Sequence, residues 1–298
     1  MRALLLLAIA GCGVNVGAPG EWVPVDQVEA PLAVEASATA PPSTFRSLHP
    51  VATDVIRVVT YNVDEENDIV PSALVSAIEN DPDLASASVF LLQEVEAYPG
   101  EAASRIQPLA QALGLGYIYV PARIKDDPSH THGLAILSAF PIENVEKKEL
   151  PMSGTSMRIA VAADLVVGDR VLHIVDLHLG FDSDAATRIA QLRPGVIDAP
   201  DATLVAGDFN MSWVQWTPVG VPILSGTSAT DQAAAVTSYM RALHFDAPTV
   251  DSGPTATAFG IEARVDAIFT RGLDATFGKV ERVGPSDHWP VWADVRLR

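Results

Sequence analysis

The chain has 298 residues, a formal net charge of −18, 48% hydrophobic residues and 19% charged residues. This balance excludes a wholly disordered protein, and 20 glycines, 22 prolines and one cysteine exclude a collagen or a disulfide scaffold. After the first few residues, no apolar run approaches the roughly 20 residues that a membrane span needs. The acidic balance argues against a protein that coats nucleic acid or anionic lipid, although a bound cation can still bring such a chain to a phosphate.

The chain begins with the features of an export signal. Arg2 supplies a positive charge, and residues 3–10 (ALLLLAIA) form a short apolar segment. Small residues then lead to Cys12, a pattern that resembles the lipobox of bacterial lipoproteins, where the signal is cut before a cysteine that becomes lipidated. We expect residues 1–11 to be a lipoprotein signal peptide and Cys12 to be lipidated. An ordinary signal peptide with a chance cysteine, or a wrongly assigned start codon, is the alternative.

A lipid on Cys12 would hold the protein in the cell envelope, outside the cytoplasm, with membrane contact through the anchor only. Gly13 stands where an aspartate favours inner-membrane retention in many Gram-negative lipoproteins, so the outer membrane is the expected location in such a cell. Residues 12–51 are predicted to form a Pro- and Ala-rich tether, because prolines interrupt them repeatedly and hydrophobic periodicity is absent.

A folded domain is expected over residues 52–298, where short β-type runs are interspersed with helical patterns. Both faces of Val171–Leu179 are largely apolar, as in a strand buried between two layers. The mixed order predicts an α/β fold. The predicted strands are Val55–Tyr61, Val89–Gln93, Tyr117–Val120, Leu134–Leu137, Ile159–Val167, Val171–Leu179, Thr203–Ala206, Val265–Phe269 and Val291–Val295, and the predicted helices are Pro71–Ile78, Glu101–Leu113, Ala185–Leu192 and Asp231–Leu243.

Polar side chains stand where several of these predicted strands end, which is where loops usually build sites. Asn62, Glu94 and Asp287 offer only oxygen ligands, which suit Mg²⁺, Mn²⁺ or Ca²⁺ better than Zn²⁺. His178 and His288 can exchange protons with a phosphate oxygen or with water.

Three further polar residues complete this set. Asp266, within an apolar run, is suited to orienting an imidazole. Asp208 and Asn210 are two residues apart and point the same way in an extended chain, so one can take a proton from water while the other holds that water. Together these groups are typical of metal-assisted phosphoester hydrolysis. Taken singly, each also has an ordinary structural explanation, such as a turn former, a solvated charge or a core histidine.

In this order the segments resemble the endonuclease/exonuclease/phosphatase superfamily, which includes deoxyribonucleases, abasic-site endonucleases, neutral sphingomyelinases and inositol-polyphosphate phosphatases. The resemblance runs from about Val55 to Val295, so residues 52–298 would be a catalytic domain of this type. It implies a four-layer α/β sandwich, with two packed, mostly antiparallel sheets flanked by helices. The segments are TYNV at 60–63, LLQEV at 91–95, HGLAILSAFPI at 132–142, DLHL at 176–179, GDFN at 207–210, VDAIF at 265–269 and SDHWPV at 286–291.

The resemblance also implies roles for individual residues. The metal site would use Asn62, Glu94 and Asp287 to bind Mg²⁺ or Mn²⁺, with Ca²⁺ as an alternative. Arg158 would contact the substrate phosphate, or else carry a solvated charge at a strand end. The catalytic set would be His178, which contacts the phosphate, Asp208 with its partner Asn210, and His288 supported by Asp266.

The implied reaction is hydrolysis of a phosphate ester by an activated water, in an exported and monomeric enzyme. A phosphodiesterase or nuclease is expected first; a phospholipase C-like enzyme or inositol-phosphate phosphatase, or a non-catalytic surface binding protein on the same fold, are the alternatives. Leu134 and Ala139 stand where the family often has asparagine and arginine, and four lysines form no track for a phosphate backbone. The substrate therefore stays open between nucleic acid, a lipid head group and a small phosphate ester.

Two histidines and two tryptophans are further candidates for substrate contact. His130 and His132 would either meet a leaving group or belong to a plain surface loop. Trp213 and Trp216 would stack on a base, enter a lipid interface or pack under a loop.

Overall fold

The computed structural model describes residues 19–29, 32, 34–37, 40–41, 43–64, 69–101, 103–152, 157–211, 215–216, 222–223, 232–258, 260–276 and 278–298. The predicted signal peptide, Cys12 and Trp213 lie outside the described residues. No helix within the described ranges is long and apolar enough to cross a bilayer.

Six helices and eighteen strands are assigned in these ranges. The helices are α1 (Thr44–Leu48), α2 (Pro71–Asn80), α3 (Pro82–Ala85), α4 (Ile106–Leu113), α5 (Ala185–Val196) and α6 (Gln232–Ala242). The strands are β1 (Val23–Pro24), β2 (Glu35–Ser37), β3 (Ile56–Asn62), β4 (Val89–Ala97), β5 (Gly116–Ile124), β6 (Thr131–Ser138), β7 (Ile142–Glu149), β8 (Ile159–Val167), β9 (Arg170–His178), β10 (Thr203–Asp208), β11 (Gln215–Trp216), β12 (Pro222–Ile223), β13 (Ala256–Ala258), β14 (Ile261–Ala263), β15 (Asp266–Arg271), β16 (Leu273–Ala275), β17 (Lys279–Val280) and β18 (Val291–Leu297).

Most of the strands form two large sheets. The first has the order β1-β7-β8-β9-β10-β15, and the second has the order β16-β18-β3-β4-β6-β5-β2, with β17 also paired to β18. Strand β9 runs parallel to β10, and β3 runs parallel to β4. The remaining ladders of the two large sheets are antiparallel, as the resemblance implied.

Three clusters of buried apolar side chains separate four layers. The central cluster joins the two sheets and includes Val58 and Leu91 from the second sheet and Val161 and Ile174 from the first. A second cluster packs α2, α3 and α4 on the outside of the second sheet, and a third packs α5 and α6 on the outside of the first. The predicted four-layer α/β sandwich is therefore confirmed.

Side chains alternate between the two faces of each strand, and this alternation decides what lies between the sheets. In β9, Leu172 and Ile174 belong to the central cluster, whereas Val175 and Leu177 face α5 and α6. The same alternation continues to His178, the last residue of the strand, on the central side. The inward-facing apolar residues of β9 thus end in a polar side chain, His178, at one end of the sandwich.

The segment predicted as a tether is folded onto the domain wherever the structure describes it. Strand β1 pairs with β7 and β2 pairs with β5, each at the edge of a sheet. Helix α1 is held by Arg46, which donates hydrogen bonds to the carbonyls of Leu113 and Ala87. The prediction was wrong in this part because an edge strand needs hydrogen bonds on one side only and so tolerates the prolines that bar a central strand.

The predicted elements are present, with shifted ends. The helix predicted from Glu101 begins at Ile106, and the helix predicted to end at Leu192 continues to Val196. Strand β7 was not predicted, because its sequence IENVEKKE carries charges on both faces and its register shifts between Glu143 and Glu146. Such an irregular strand lacks the two-residue period that marks a strand in a sequence.

Candidate active site

The predicted catalytic residues meet at the end of the sandwich that carries His178. His178 and Asp208 are the last residues of the parallel neighbours β9 and β10, and they are paired in register. Asp266 begins the antiparallel strand β15 and is paired with Asp208 on its other side. From the opposite sheet, Asn62 ends β3. The topology thus brings together residues that lie up to about 200 positions apart in the sequence.

Asp208 is the centre of the cluster. One Oδ atom, Oδ2, lies 3.1 Å from Asn62 Nδ2 and 3.4 Å from His178 Nε2. The other, Oδ1, accepts the backbone N–H of Asn210 at 2.7 Å. Burial raises the pKa of Asp208 to about 6, with the Asp266 charge adding to the rise and His288 opposing it. Above that pH the carboxylate is ionised and can accept a proton from water.

Asn62 links the carboxylates contributed by the two sheets. Its Nδ2 donates to Glu94 Oε1 at 3.0 Å as well as to Asp208, and its Oδ1 accepts the backbone N–H of Asp64 at 3.1 Å. The side chain is 1% exposed. In this arrangement Asn62 fixes the separation of the two carboxylates through its donors.

Glu94 reaches the site through a bulge in β4. Gln93 pairs with Leu134 and Val95 with Gly133, so Glu94 is an extra residue in the ladder, and its φ is 58°. Burial raises the pKa of Glu94 to about 7, against the hydrogen bond from Asn62 and the Arg158 charge, which lower it. The bulge therefore holds a carboxylate that is costly to ionise unless a cation lies beside it.

Asp266 and His288 form the predicted pair. Nδ1 of His288 lies 2.9 Å from Asp266 Oδ2, and Asp266 is 1% exposed. The other ring nitrogen, Nε2, lies 3.8 Å from Asp208 Oδ2 and 3.9 Å from Asp287 Oδ1. Burial lowers the pKa of His288, but the charges of the nearby aspartates outweigh it and raise that pKa well above 6.5. The imidazolium is thus the favoured form beside the site.

His178 is paired with a buried arginine. Arg158 Nη1 lies 2.9 Å from Nδ1 and 3.0 Å from Nε2 of His178, and Arg158 is 8% exposed. Burial and the Arg158 charge lower the pKa of His178 well below 6.5, so its neutral ring accepts from the guanidinium. Arg158 is therefore part of the cluster and does not carry a solvated strand-end charge.

Asn210 and Asp287 complete the predicted set. Asn210 Nδ2 donates to the carbonyl of Leu179 at 2.9 Å, which holds the turn after β10 against the end of β9. Asp287 is the most exposed of the predicted metal ligands, with 51% of its side chain accessible. It borders the cluster through His288.

A family model described as the Endonuclease/Exonuclease/phosphatase family matches residues 59–288. The chain belongs to this family. Members of the endonuclease/exonuclease/phosphatase family are metal-dependent phosphoester hydrolases, among them nucleases and phosphatases.

Individual relatives of the chain agree with the family and the fold. The chain is 31% identical over 144 residues to the uncharacterized protein YbhP of Escherichia coli K12, covering 44% of this chain and 56% of YbhP. It thus spans about half the length of the curated relatives it matches. Among solved structures, an endonuclease/exonuclease/phosphatase from Beutenbergia cavernae has a TM-score of 0.59 and 19% identity, covering 82% of this chain and 72% of that one. TDP2 from C. elegans has a TM-score of 0.54 and 16% identity, covering 83% and 77%.

The described residues fit the divalent cation that endonuclease/exonuclease/phosphatase enzymes use. Glu94, His178 and Asp208 offer ligand atoms that all lie within 4.8 Å of one another. Asn62 Nδ2 bonds both Glu94 and Asp208, so these two carboxylates lie close together. Burial raises the pKa of each, and a cation beside them would favour their ionised forms. Carboxylate oxygens completed by water and substrate phosphate suit Mg²⁺ or Mn²⁺.

Two residues beneath the site were missed by the sequence analysis. Gln93 Nε2 donates to Asp176 Oδ1 at 2.7 Å, across the space between the sheets. Burial raises the pKa of Asp176 well above 3.8, so this carboxyl group holds its proton. Both side chains point into the space between the sheets. Asp176 lies two positions before His178, and Gln93 lies one position before Glu94. Polar residues at inward positions of otherwise apolar strands were the signal available in the sequence.

Proposed function

We propose that the chain is an exported, divalent-metal-dependent phosphodiesterase or nuclease that uses an activated water. The observation that carries this proposal is the position of Asp208. Its Oδ2 faces His178 from one side and His288 from the other, while Asn62 fixes it relative to Glu94. Such a carboxylate, with a pKa of about 6, is placed to take a proton from water above that pH.

Each of the surrounding residues has a separate role in this proposal. Asn210 orients Asp208 through its backbone N–H. His288, kept charged by Asp266, stabilises the negative charge that grows on the phosphate. Arg158 and His178 hold a phosphate oxygen from the other side. A cation held by Glu94 would supply Lewis-acid stabilisation of the phosphate oxygens.

A panel of phosphate esters tests this function. Purified protein with Mg²⁺ should hydrolyse bis(4-nitrophenyl) phosphate or plasmid DNA, EDTA should abolish the activity, and Mg²⁺ or Mn²⁺ should restore it. Asp208→Asn should be inactive, whereas Asp201→Asn, where the carboxylate is 96% exposed, is the matched control and should keep full activity. Full activity in EDTA would contradict metal dependence.

The same panel separates the alternatives. Hydrolysis confined to sphingomyelin or inositol phosphates would replace the nuclease proposal with a phospholipase C-like enzyme or a phosphatase. Binding of these compounds without turnover, in metal-loaded protein, would indicate a surface binding protein on this fold.

Export and lipidation at Cys12 belong to the proposal as well. Cells that express the chain should incorporate labelled fatty acid into it, and Cys12→Ser should abolish that incorporation and release the protein from the membrane fraction. If the wild-type chain takes up no label, the lipid anchor is refuted, and the hydrolase proposal is unaffected.

A further inference from the structure

Arg188 is a buried arginine to which none of the roles above has been given. It lies on α5 and is 1% exposed. Within the described ranges, its guanidinium donates only to uncharged acceptors. Nε donates to the Gln232 amide oxygen at 3.0 Å, Nη1 donates to the carbonyls of Gly180 and Phe209, and Nη2 donates to the Ser183 carbonyl at 2.7 Å. A buried charge without a charged partner is costly, so its presence calls for a reason.

The acceptors lie in the two chain segments that leave the candidate site. Gly180 comes two residues after His178, and Phe209 comes directly after Asp208. His178 and Asp208 end the parallel neighbours β9 and β10. Because one nitrogen, Arg188 Nη1, donates to both carbonyls, it sets the distance between the two segments just beyond the site.

One peptide group connects this guanidinium to the carboxylate of Asp208. The Phe209 carbonyl, which accepts from Arg188 Nη1 at 3.0 Å, belongs to the same peptide as the Asn210 N–H. That N–H donates to Asp208 Oδ1 at 2.7 Å. The plane of the peptide is thus held at its oxygen by the arginine and at its nitrogen by the aspartate. A hydrogen bond to the carbonyl also polarises the peptide and strengthens the N–H as a donor.

The turn that contains this peptide needs support from outside. Asn210 has a φ of 50°, in the left-handed region that residues other than glycine seldom adopt. Such a conformation persists only where surrounding contacts hold it. Arg188 makes one of these contacts from the helix side, and Asn210 Nδ2 makes another by donating to the Leu179 carbonyl.

The charge of Arg188 is balanced by the site. Burial lowers the pKa of Arg188 to about 10, and the negative charges that oppose this lowering are Asp208 first, then Asp182 and Asp184. The guanidinium therefore stays charged at neutral pH. The carboxylate that acts on it most is the one at the centre of the candidate site.

A second side chain of α5 holds the same segment. Gln191, three residues after Arg188 and so on the same face of the helix, accepts the Gly180 N–H at 2.9 Å. Its Nε2 donates to the Pro151 carbonyl at 2.9 Å. The carbonyl and the N–H of Gly180 are thus both bonded to α5, which makes this helix a fixed support for the end of β9.

We propose that Arg188 is a positioning residue for Asp208, acting through the Phe209–Asn210 peptide to set the direction of the carboxylate. The inference rests on the proposed function, and it adds a residue that lies outside the site and on which turnover depends. Without the bond from Arg188, the peptide is free to rotate, and the Asn210 N–H turns away from Asp208 Oδ1. A misplacement of about 1 Å is enough to lower a rate about 100-fold.

A substitution that keeps the charge tests this role. Lysine at position 188 stays cationic but cannot donate in the fixed directions of a guanidinium. With Mg²⁺ and bis(4-nitrophenyl) phosphate, Arg188→Lys should lower kcat about 100-fold and change KM by less than about threefold, because the carboxylate is needed in the transition state. A kcat within about threefold of the wild-type value would overturn the proposal.

Arg46→Lys is the matched control. Burial also lowers the pKa of Arg46 to about 10, and Arg46 also donates to two carbonyls, those of Leu113 and Ala87. These carbonyls precede β5 and β4, at the end of the sandwich opposite the site. Arg46→Lys should lower Tm but leave kcat within about twofold of the wild type. An equal loss of kcat in both variants would show a general effect of destabilisation and would overturn the proposal.

Amide hydrogen exchange, followed by NMR in the metal-free protein, tests the inference without turnover. The Asn210 N–H should exchange at least about tenfold faster in Arg188→Lys than in wild type, and at an unchanged rate in Arg46→Lys. If the wild type hydrolyses no ester and Asn210 still responds in this way, the phosphodiesterase proposal fails and the positioning role stands. Unchanged exchange at Asn210 in Arg188→Lys would overturn the positioning role alone.

A second variant covers the case in which Arg188→Lys does not fold. Arg188→Gln removes the buried charge and also removes the bond to the Phe209 carbonyl, so the same loss of kcat and the same faster exchange at Asn210 are expected. Wild-type kcat and wild-type exchange at Asn210 in Arg188→Gln would overturn the proposal.

Discussion

Replacement of Glu94 by glutamine should stabilise the metal-free protein at alkaline pH. Burial raises the pKa of Glu94 from 4.5 to about 7, and the hydrogen bond from Asn62 Nδ2 can be kept by the glutamine oxygen. Each pKa unit corresponds to about 1.36 kcal/mol, so the ionised carboxylate costs the folded state about 3 kcal/mol. Because 20% of the side chain is exposed, this figure is an upper value.

The direction in which folding stability changes with pH follows from proton binding. A carboxyl group whose pKa is higher in the folded state binds its proton more tightly there, so folding stability is lost as pH rises from 4.5 to about 7. In EDTA, the wild type should therefore become less stable than Glu94→Gln by up to about 3 kcal/mol above pH ~8, and the difference should vanish near pH ~4.5. Mg²⁺ should reverse the order, because the wild type gains a ligand that the variant lacks.

Urea unfolding, followed by circular dichroism at a series of pH values with EDTA or Mg²⁺, measures these differences. Glu143→Gln is the matched control, since Glu143 is exposed in β7 and is not part of the candidate active site. Its effect on the free energy of unfolding should stay within about 0.5 kcal/mol at every pH. A difference between Glu94→Gln and wild type that does not change with pH in EDTA would refute the burial argument. A stabilisation by Mg²⁺ that is equal in both proteins would remove Glu94 from the metal site.

Three further substitutions test other parts of the structure. Asp266→Asn should lower kcat about 100-fold or more with little change in KM, and should move the alkaline limb of the kcat profile to lower pH, because the Asp266 charge helps to raise the pKa of His288. Asp176→Asn should raise the free energy of unfolding at neutral pH and lose this advantage towards pH ~4, because burial raises the pKa of Asp176 and, above that pH, the unfolded wild type releases a proton that the folded wild type keeps. Gly207→Ala should yield insoluble or strongly destabilised protein, by more than about 3 kcal/mol in urea unfolding, because a Cβ there would lie 1.9 Å from the Leu177 carbonyl oxygen at a φ of 146°.

The sequence predicted which side chains would meet through two kinds of signal. His178, Asp208 and Asp266 each end or begin an apolar run, and a run that alternates between two packed faces commits its terminal residue to one of them. The need of Asp266 for a partner followed from the cost of burying a carboxylate alone, whereas the resemblance to the family named His288 as that partner. The first signal is local, and the second depends on the order of motifs along the whole domain.

Other parts of the site depend on pairing between distant strands, which leaves no local pattern. The bulge that brings Glu94 inward exists because β4 and β6 change register between Gln93 and Val95. Simple alternation would have sent Glu94 to the helix-covered face, the opposite of where it lies. His132 Nε2, buried without a hydrogen-bond partner among the described residues, is likewise visible only once β5 and β6 are paired.

The hydrogen bond from the Gly20 backbone N–H to the Glu149 carbonyl has a consequence for the reach of an anchored enzyme. Glu149 pairs with Ile159 at the end of the first sheet that carries His178, so Gly20 lies at the same end of the sandwich as the candidate site. Gly20 is eight positions after Cys12, and eight extended Cα-to-Cα steps span at most about 29 Å. With Cys12 lipidated as proposed, Gly20 would stay within that distance of the bilayer surface, and the end of the domain that carries the candidate site would be held towards the membrane. Substrates presented by the membrane itself would then be close at hand, and long soluble polymers would have to enter a narrow gap between protein and lipid.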